Sequence, residues 1–286
     1  MGYCTTFSFA SVYLLSRGFS NSQIGLTLTL ASAFTIVFQP IVAAFADKTR
    51  KLALRNIVAI ILGGIAVASF LLMITPELIV PIIILFIINS AFFSAQIPLV
   101  TSMAMEHVNS GVPVNYSLSR GIGSLAFAIL CSSMGFLVDD FGAWVIMLAN
   151  IGLGVIGAVL VSLFPKPQKP PIINLKENAK ASGLMEFALK NKNFMLVVLS
   201  VALIFFSHVV INAFTIQIVN NIGGNNSDMG IAVAIAAFLE LPAMALFPRI
   251  YRKVRNAGLI LKVAGAFFVI KAVVTLFAPS IAWFIV

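Results

Sequence analysis

Long apolar stretches alternate with short polar breaks along nearly the whole chain. A helix needs about 20 apolar residues to cross the hydrocarbon core of a bilayer. Apolar runs that meet this criterion are separated by charged or Pro-, Gly- and Asn-rich breaks. They predict spans near 3–16, 24–46, 56–75, 78–105, 120–138, 143–164, 194–219, 229–248 and 257–278. The pattern therefore predicts an all-α polytopic membrane protein.

Both ends of this pattern look incomplete. The first run is short for a span, and it starts at Met1 without the basic segment and small-residue cleavage site of a signal peptide. The tail from Pro279 to Val286 resembles the opening of a tenth span. We expect a chain that lacks the beginning of its first helix and everything after its ninth.

Composition excludes several classes of protein. The 286 residues are 60% hydrophobic and 9% charged, whereas a soluble domain carries about 25% charged residues. A soluble enzyme and a nucleic-acid-binding domain are therefore excluded, in spite of the net charge of +9. Cys4 and Cys131 lie in apolar runs without metal-ligand spacing. We expect no metal site and no cofactor.

Loop charge predicts the orientation. Most cations fall in the loops after spans 2, 6 and 8: Lys48, Arg50, Lys51, Arg55, Lys166, Lys169, Lys176, Lys180, Lys190, Lys192, Arg249, Arg252, Lys253 and Arg255. The alternate loops hold one cation, Arg17, beside Glu77, Asp139, Asp140 and Asp228. Cationic loops stay in the cytoplasm. The N-terminus is therefore predicted to be cytoplasmic, in a multi-pass protein of the cell membrane.

An internal repeat predicts two halves. Residues 165–193 form the one long polar segment, which we interpret as a cytoplasmic linker between a six-helix bundle (1–164) and a partial bundle (194–286) that holds spans 7–9 and the start of span 10. Asn21–Gly25 introduces span 2 as Asn226–Gly230 introduces span 8, and a basic loop follows each span. Duplicated halves with a substrate site between them are common in secondary transporters.

The segment between spans 2 and 3 resembles a known family. Phe38–Pro40, followed by Asp47 and a basic cluster, resembles the major facilitator superfamily, and within it the lactose-permease-like oligosaccharide–proton symporters and the phenylpropionate permease branch. Ala43 and Arg50 stand where glycines are usual. The resemblance implies a conformational latch made of Asp47, Arg50 and Lys51. Charge that only sets topology is the alternative, and it fits the two cations better than Asp47.

Glu240 and Lys271 are ionisable residues deep inside predicted spans. Such a group costs several kcal/mol unless it is paired or faces water, so each is a candidate functional residue. At about 1.5 Å per residue, Glu240 lies near the middle of span 8, and Lys271 lies deep in span 9. They either pair or line one aqueous cavity. In the family, an acid in span 8 serves sugar binding and coupling and a cation in span 9 serves proton transfer. The alternatives are a structural pair and, for Lys271, snorkelling to the interface.

Span 5 carries a second resemblance. Arg120, with Gly123 and Phe127 after it, resembles the sugar-binding arginine of the family and its stacking aromatic. A guanidinium offers a planar fork of donors, and an aromatic face accepts the apolar side of a ring. Phe127 replaces the usual tryptophan, which leaves room for an aromatic acid or a nucleoside. Glu106 is either a solvated loop acid or the partner of Arg120.

Span 7 adds polar candidates. His208 and Asn212 are four residues apart and so share a helix face. A buried histidine could carry a proton near neutral pH, although a hydrogen-bonded core histidine fits equally well. Gln39 in span 2 is a further candidate for substrate binding.

These features predict a secondary active transporter for proton-coupled symport of a small polar organic solute, sugar- or oligosaccharide-like, by alternating access. The alternatives are a nucleoside or aromatic-acid carrier or a facilitator of the same superfamily, and an intramembrane enzyme or non-transporting membrane protein. No reactive constellation supports an enzyme. Expected partners are a small-molecule substrate, protons and the lipid bilayer, without nucleic acid, and the protein is expected to be a monomer.

Overall fold

A computed structural model describes residues 1–49, 52–111, 116–165, 187 and 189–285. The first half contains a π-helical turn (Cys4–Ser8), α1 (Ala10–Ser16), α2 (Asn21–Lys48), α3 (Leu54–Ile74), α4 (Ile79–Asn109), α5 (Tyr116–Phe141) and α6 (Trp144–Leu163). The second half contains α7 (Lys192–Ala213), α8 (Thr215–Asn221), α9 (Asn226–Val254), α10 (Ala257–Leu276) and α11 (Ile281–Ile285).

The prediction of an all-helical membrane protein is confirmed. Over the described residues the chain forms helices and no strands. Eight of the helices are long and apolar enough to cross a membrane, namely all except α1, α8 and α11. Most of the predicted linker, including Lys166, Lys169, Lys176 and Lys180, lies outside the described residues.

Two helices differ from the predicted spans. The run predicted at 194–219 is two helices, because the backbone breaks at Phe214 between α7 and α8. The Thr215 hydroxyl donates to the carbonyls of Ile211 and Asn212, at 2.9 and 3.1 Å, and so satisfies groups that the broken helix leaves free. Helix α5 runs to Phe141, so Asp139 lies in its last turn rather than in a loop.

The short helix α1 is tied to the end of α3. The Tyr13 hydroxyl donates to the carbonyl of Leu72 at 2.8 Å. The Arg17 guanidinium donates to the carbonyls of Leu72 and Met73 at 3.0 and 2.9 Å. The last carbonyls of a helix lack intrahelical partners, so these donors cap α3. The one cation of the acidic loops thus has a structural partner within its own half.

A buried polar chain joins four elements of the first half. Thr5 of the π-helical turn donates to Asn150 of α6 at 3.0 Å, Asn150 donates to Ser69 of α3 at 2.9 Å, and Ser69 donates to Asn89 of α4 at 3.3 Å. All four side chains are buried. The amide nitrogen of Asn89 at the end of this chain is buried without a hydrogen-bond partner. The hydrogen bonds therefore tie the π-helical turn to α3, α4 and α6, but they do not satisfy every polar atom of the chain.

The second half is packed differently. Helices α7 and α10 have no buried residues among those described. Helix α9 instead packs along α5 of the first half, with Met229, Ala232 and Ala237 buried. The α5–α9 pair is therefore the main connection between the halves, and it positions the candidate residues described next.

Candidate functional site

The α5–α9 pair is in backbone contact at one end. A Cβ atom added at Gly135 would lie 2.5 Å from the carbonyl oxygen of Asn226, and one added at Gly230 would lie 2.5 Å from that of Cys131. No side chain larger than hydrogen fits at such distances. Small residues allow helices in membranes to approach this closely. The two halves are therefore closed at this end.

Asp139 adds hydrogen bonds to the same contact. Its Oδ1 accepts from Asn226 Nδ2 at 2.8 Å, and its Oδ2 accepts from the backbone N–H of Ser227 at 2.7 Å. The Ser227 hydroxyl also donates to Oδ2. All three donors belong to the first turn of α9. A carboxylate of the first half thus caps a helix of the second.

Two further hydrogen bonds between the halves lie at this end. Gln217 Nε2 of α8 donates to Asn21 Oδ1 at the start of α2, at 3.2 Å. The Ser11 hydroxyl of α1 donates to the carbonyl of Ala213 at the end of α7. The contact therefore extends from the α5–α9 pair across α1, α2 and the α7–α8 break.

The same two helices separate toward their other end. A Cβ atom at Gly121 would meet only the tip of the Leu241 side chain, at 4.0 Å, so the two backbones are no longer in contact there. Gly121 is 14 residues from Gly135, which is about 21 Å along the helix. Arg120 and Glu240 adjoin Gly121 and Leu241 in sequence. They therefore lie at the same level of the helix pair, and both are exposed.

A hydrogen-bonded chain joins three of the other predicted residues. Asn212 Nδ2 lies 3.0 Å from His208 Nε2, and His208 Nδ1 lies 3.3 Å from Lys271 Nζ. The ring of Phe268 packs edge-on against the imidazole, with centroids 5.3 Å apart. The chain therefore links α7 to α10 through the histidine.

Lys271 does not form the ion pair with Glu240 that was one of the two expectations. Its hydrogen bond goes to His208 instead. A neutral imidazole donates through one nitrogen and accepts through the other. With Asn212 Nδ2 as the donor to Nε2, the imidazole carries its proton on Nδ1 and donates it to a neutral lysine. A charged lysine that donates to Nδ1 requires the Asn212 amide to turn over, so that its oxygen accepts from Nε2–H.

Phe127 belongs to an aromatic cluster that the sequence interpretation missed. Its ring lies 6.1 Å from that of Tyr3, which lies 5.1 Å from Phe7. Phe93 of α4 completes the cluster, 5.5 Å from Phe7. Tyr3 is half exposed and Phe93 is buried, so the cluster has a closed side and an open side. The spacing of Tyr3 and Phe7 by one helical turn was the available signal.

The remaining candidates are not brought together. Gln39 is half-buried in α2, and Asp47 is exposed in the last turn of that helix. Arg50 and Lys51 lie outside the described residues. Glu106 is half-buried near the end of α4. In the part of the chain that the structure describes, no group of His, Cys, Asp and Glu side chains is arranged to hold a metal ion.

Comparison with known proteins gives two relatives. The chain is 28% identical over 260 residues to "Maltose permease" of Geobacillus stearothermophilus, a match that covers 90% of this chain and 64% of the relative. It is 27% identical over 236 residues to "Uncharacterized transporter YwbF" of Bacillus subtilis (strain 168), covering 82% of this chain and 57% of that protein. The chain thus spans about six-tenths of the length of these relatives.

No solved structure matches the chain significantly. The model of the MFS_1 like family matches residues 4–286. This match covers nearly all of the predicted and observed spans, and it agrees with the resemblance seen in span 2. The chain therefore belongs to the MFS_1 like family of major facilitator superfamily transporters and is a multi-pass membrane protein.

Proposed function

We propose that this protein is a proton-coupled symporter of a small polar organic solute, sugar- or oligosaccharide-like, that works by alternating access. The observation that carries the proposal is the α5–α9 pair, which is in backbone contact at Gly135 and Gly230, whereas at Gly121 only the tip of the Leu241 side chain comes within 4.0 Å. Alternating access requires two halves that close at one end while they part at the other. The relative named maltose permease supports the solute class.

The charge of the loops assigns the two ends. The closed end carries the acidic residues Asp139, Asp140 and Asp228, and the open end continues toward the basic segment 249–255. By the positive-inside rule the closed end is external and the open end cytoplasmic. The described conformation then faces inward. The N-terminus is cytoplasmic, in the cell membrane, and the protein acts as a monomer.

The substrate binds between Arg120 and Glu240. The Arg120 guanidinium donates as a fork to hydroxyls, and the Glu240 carboxylate accepts from others. Phe127 and Tyr3 offer an aromatic surface to the apolar face of a ring. Because their centroids are only 6.1 Å apart, the two rings are already in mutual contact, and the substrate lies across their open edge rather than between them. Asn212 and Gln39 supply further polar contacts.

Proton coupling uses Glu240, Lys271 and His208. In this proposal the Glu240 carboxylate takes up and releases the transported proton. The contact between His208 and Lys271 sets where the lysine side chain lies relative to that carboxylate. At the cytoplasmic end, Asp47, Arg50 and Lys51 act as the conformational latch that holds the opposite state.

Uptake of labelled maltose into vesicles that contain the protein tests this function. An imposed pH gradient, acidic outside, should drive accumulation, and Glu240→Gln should abolish accumulation while exchange of maltose continues. Uridine and phenylpropionate serve as competitors, since the Phe127 cluster also suits a nucleoside or an aromatic acid. Uptake that does not depend on the pH gradient would show that the protein is a facilitator. Accumulation by the Glu240→Gln variant at the wild-type rate would show that Glu240 has no role in proton coupling.

A further inference from the structure

We propose that Asp139 is a positioning residue for transport, which holds the external end of the two halves closed by capping α9 from across the interface. This role rests on the alternating-access mechanism proposed above, since a latch has a function only at an end that opens. The role follows from where the hydrogen-bond donors in the first turn of α9 find their acceptors.

The first turn of a helix leaves backbone N–H groups without intrahelical partners. In α9 the helix satisfies one of them itself, because Asn225 Oδ1 accepts from the N–H of Asp228 at 2.9 Å and Asp228 Oδ2 accepts from the N–H of Asn225 at 3.0 Å. The N–H of Ser227 goes to Asp139 instead. The helix is therefore capped jointly by its own residues and by the opposite half.

The charge of Asp139 makes this contact stronger than its neighbours. Hydrogen bonds to an ionised acceptor are about twice as strong as neutral ones, and a negative charge near a helix N-terminus also interacts favourably with the helix dipole. The Gln217–Asn21 bond at the same end joins two neutral amides, 3.2 Å apart. Separation of α5 from α9 therefore costs most at Asp139.

The backbone explains how so short a side chain reaches α9. Gly135 precedes Asp139 by one turn on the same face of α5, and its contact with Asn226 brings the two backbones together. Asp140, the next residue, is exposed in the same last turn, and the described bonds to α9 are those of Asp139. The adjacent carboxylate is thus a matched control.

Alkylation of a cysteine behind the closed end measures the opening. Ala234→Cys places a thiol on α9 one turn beyond Gly230, on the same face, and the protein without this added cysteine gives the background. A membrane-impermeant maleimide is added to right-side-out vesicles. Asp139→Ala should raise the rate of external alkylation on the order of tenfold, the effect of losing hydrogen bonds to one charged acceptor at an exposed site. Asp140→Ala should leave the rate within twofold.

Two further variants distinguish a failure of the proposed latch from a failure of alternating access. Asp139→Asn keeps the size of the side chain and one acceptor oxygen but loses the charge. It should therefore give an alkylation rate between those of the wild type and Asp139→Ala, and it tests the charge in a side chain of nearly unchanged shape. Gly135→Trp forces the external end apart without any change at Asp139. If Gly135→Trp raises alkylation and Asp139→Ala does no more than Asp140→Ala, the latch is refuted and alternating access stands. If Gly135→Trp does not change the alkylation rate, both alternating access and the latch at Asp139 are refuted.

Discussion

The two ends of the α5–α9 pair differ in what they are made of. At the closed end glycines bring the backbones together and one carboxylate joins the halves by hydrogen bonds. At the other end the same helices carry Arg120 and Glu240, and a Cβ atom at Gly121 would meet only the tip of the Leu241 side chain. One end is built from small residues and local hydrogen bonds, and the other from charged side chains. In the proposed mechanism this difference assigns gating to one end of the helix pair and substrate binding to the other.

The largest effect on transport is expected when a large side chain replaces a glycine at the backbone contact between α5 and α9. Gly230→Leu should reduce transport by roughly a hundredfold, because overpacking against a backbone costs about 3 kcal/mol and here it opposes closure. Gly152→Leu in α6 is the control, since a Cβ atom there meets nothing within 4 Å and the residue lies outside the α5–α9 pair. Uptake rates at equal protein levels in the membrane measure both. Equal losses in the two variants would mean that the loss does not come from the α5–α9 contact.

A change at the open end should affect binding rather than gating. Arg120→Lys keeps the charge but loses the bidentate fork, so substrate affinity should fall on the order of tenfold, nearly as far as in Arg120→Ala. External alkylation of Ala234→Cys should remain unchanged in both variants. The measurement is the concentration of maltose that half-saturates uptake. Full affinity in the Lys variant would reduce Arg120 to a charge that sets topology.

The histidine chain should affect coupling. His208→Ala removes both hydrogen bonds of the chain, whereas Asn212→Ala removes only the 3.0 Å bond to Nε2. Proton-driven uptake should fall about fivefold more in the first variant than in the second, as expected for one additional hydrogen bond, while His208→Ala retains maltose exchange without a gradient. Equal effects of the two variants on driven uptake would exclude a role of the His208–Lys271 contact in coupling.

The smallest effect is expected within a single half. Tyr13→Phe removes the 2.8 Å bond that caps α3, and it should lower the free energy of unfolding by about 1 kcal/mol without changing alkylation at Ala234→Cys. Thermal unfolding in detergent measures the first quantity. A change in gating as large as that of Asp139→Ala would mean that the first half does not move as one body.

The sequence pattern was sufficient for the fold because a bilayer demands long apolar helices. It could not place the break at Phe214, since the bonds of Thr215 and Ser11 that surround this break depend on how the halves meet. Glu240, Lys271 and His208 were identifiable because ionisable groups in apolar runs are conspicuous. Their partners were not, because counting residues along a span gives the depth of a side chain and not its direction around the helix.

Asp139 is a second case in which the sequence alone could not identify the partner of a side chain. In the sequence it is one of two adjacent acids after an apolar run, and loop charge accounts for both. Its distinction from Asp140 arises only when Gly135 lies against Asn226 and the start of α9 comes within reach. A contact between distant parts of the chain therefore decides which of two identical residues has the role.

Distances between spin labels test the central claim most directly. One pair lies at the closed end, at Asp140 and Asn225, and a second pair lies at the open end, at Ile122 and Leu239. The comparison is between the otherwise native protein and the Gly135→Trp variant, so that no substrate need be known. Alternating access predicts that the distance at the closed end lengthens while the distance at the open end shortens. Lengthening at the closed end with no change, or with lengthening, at the open end would contradict it.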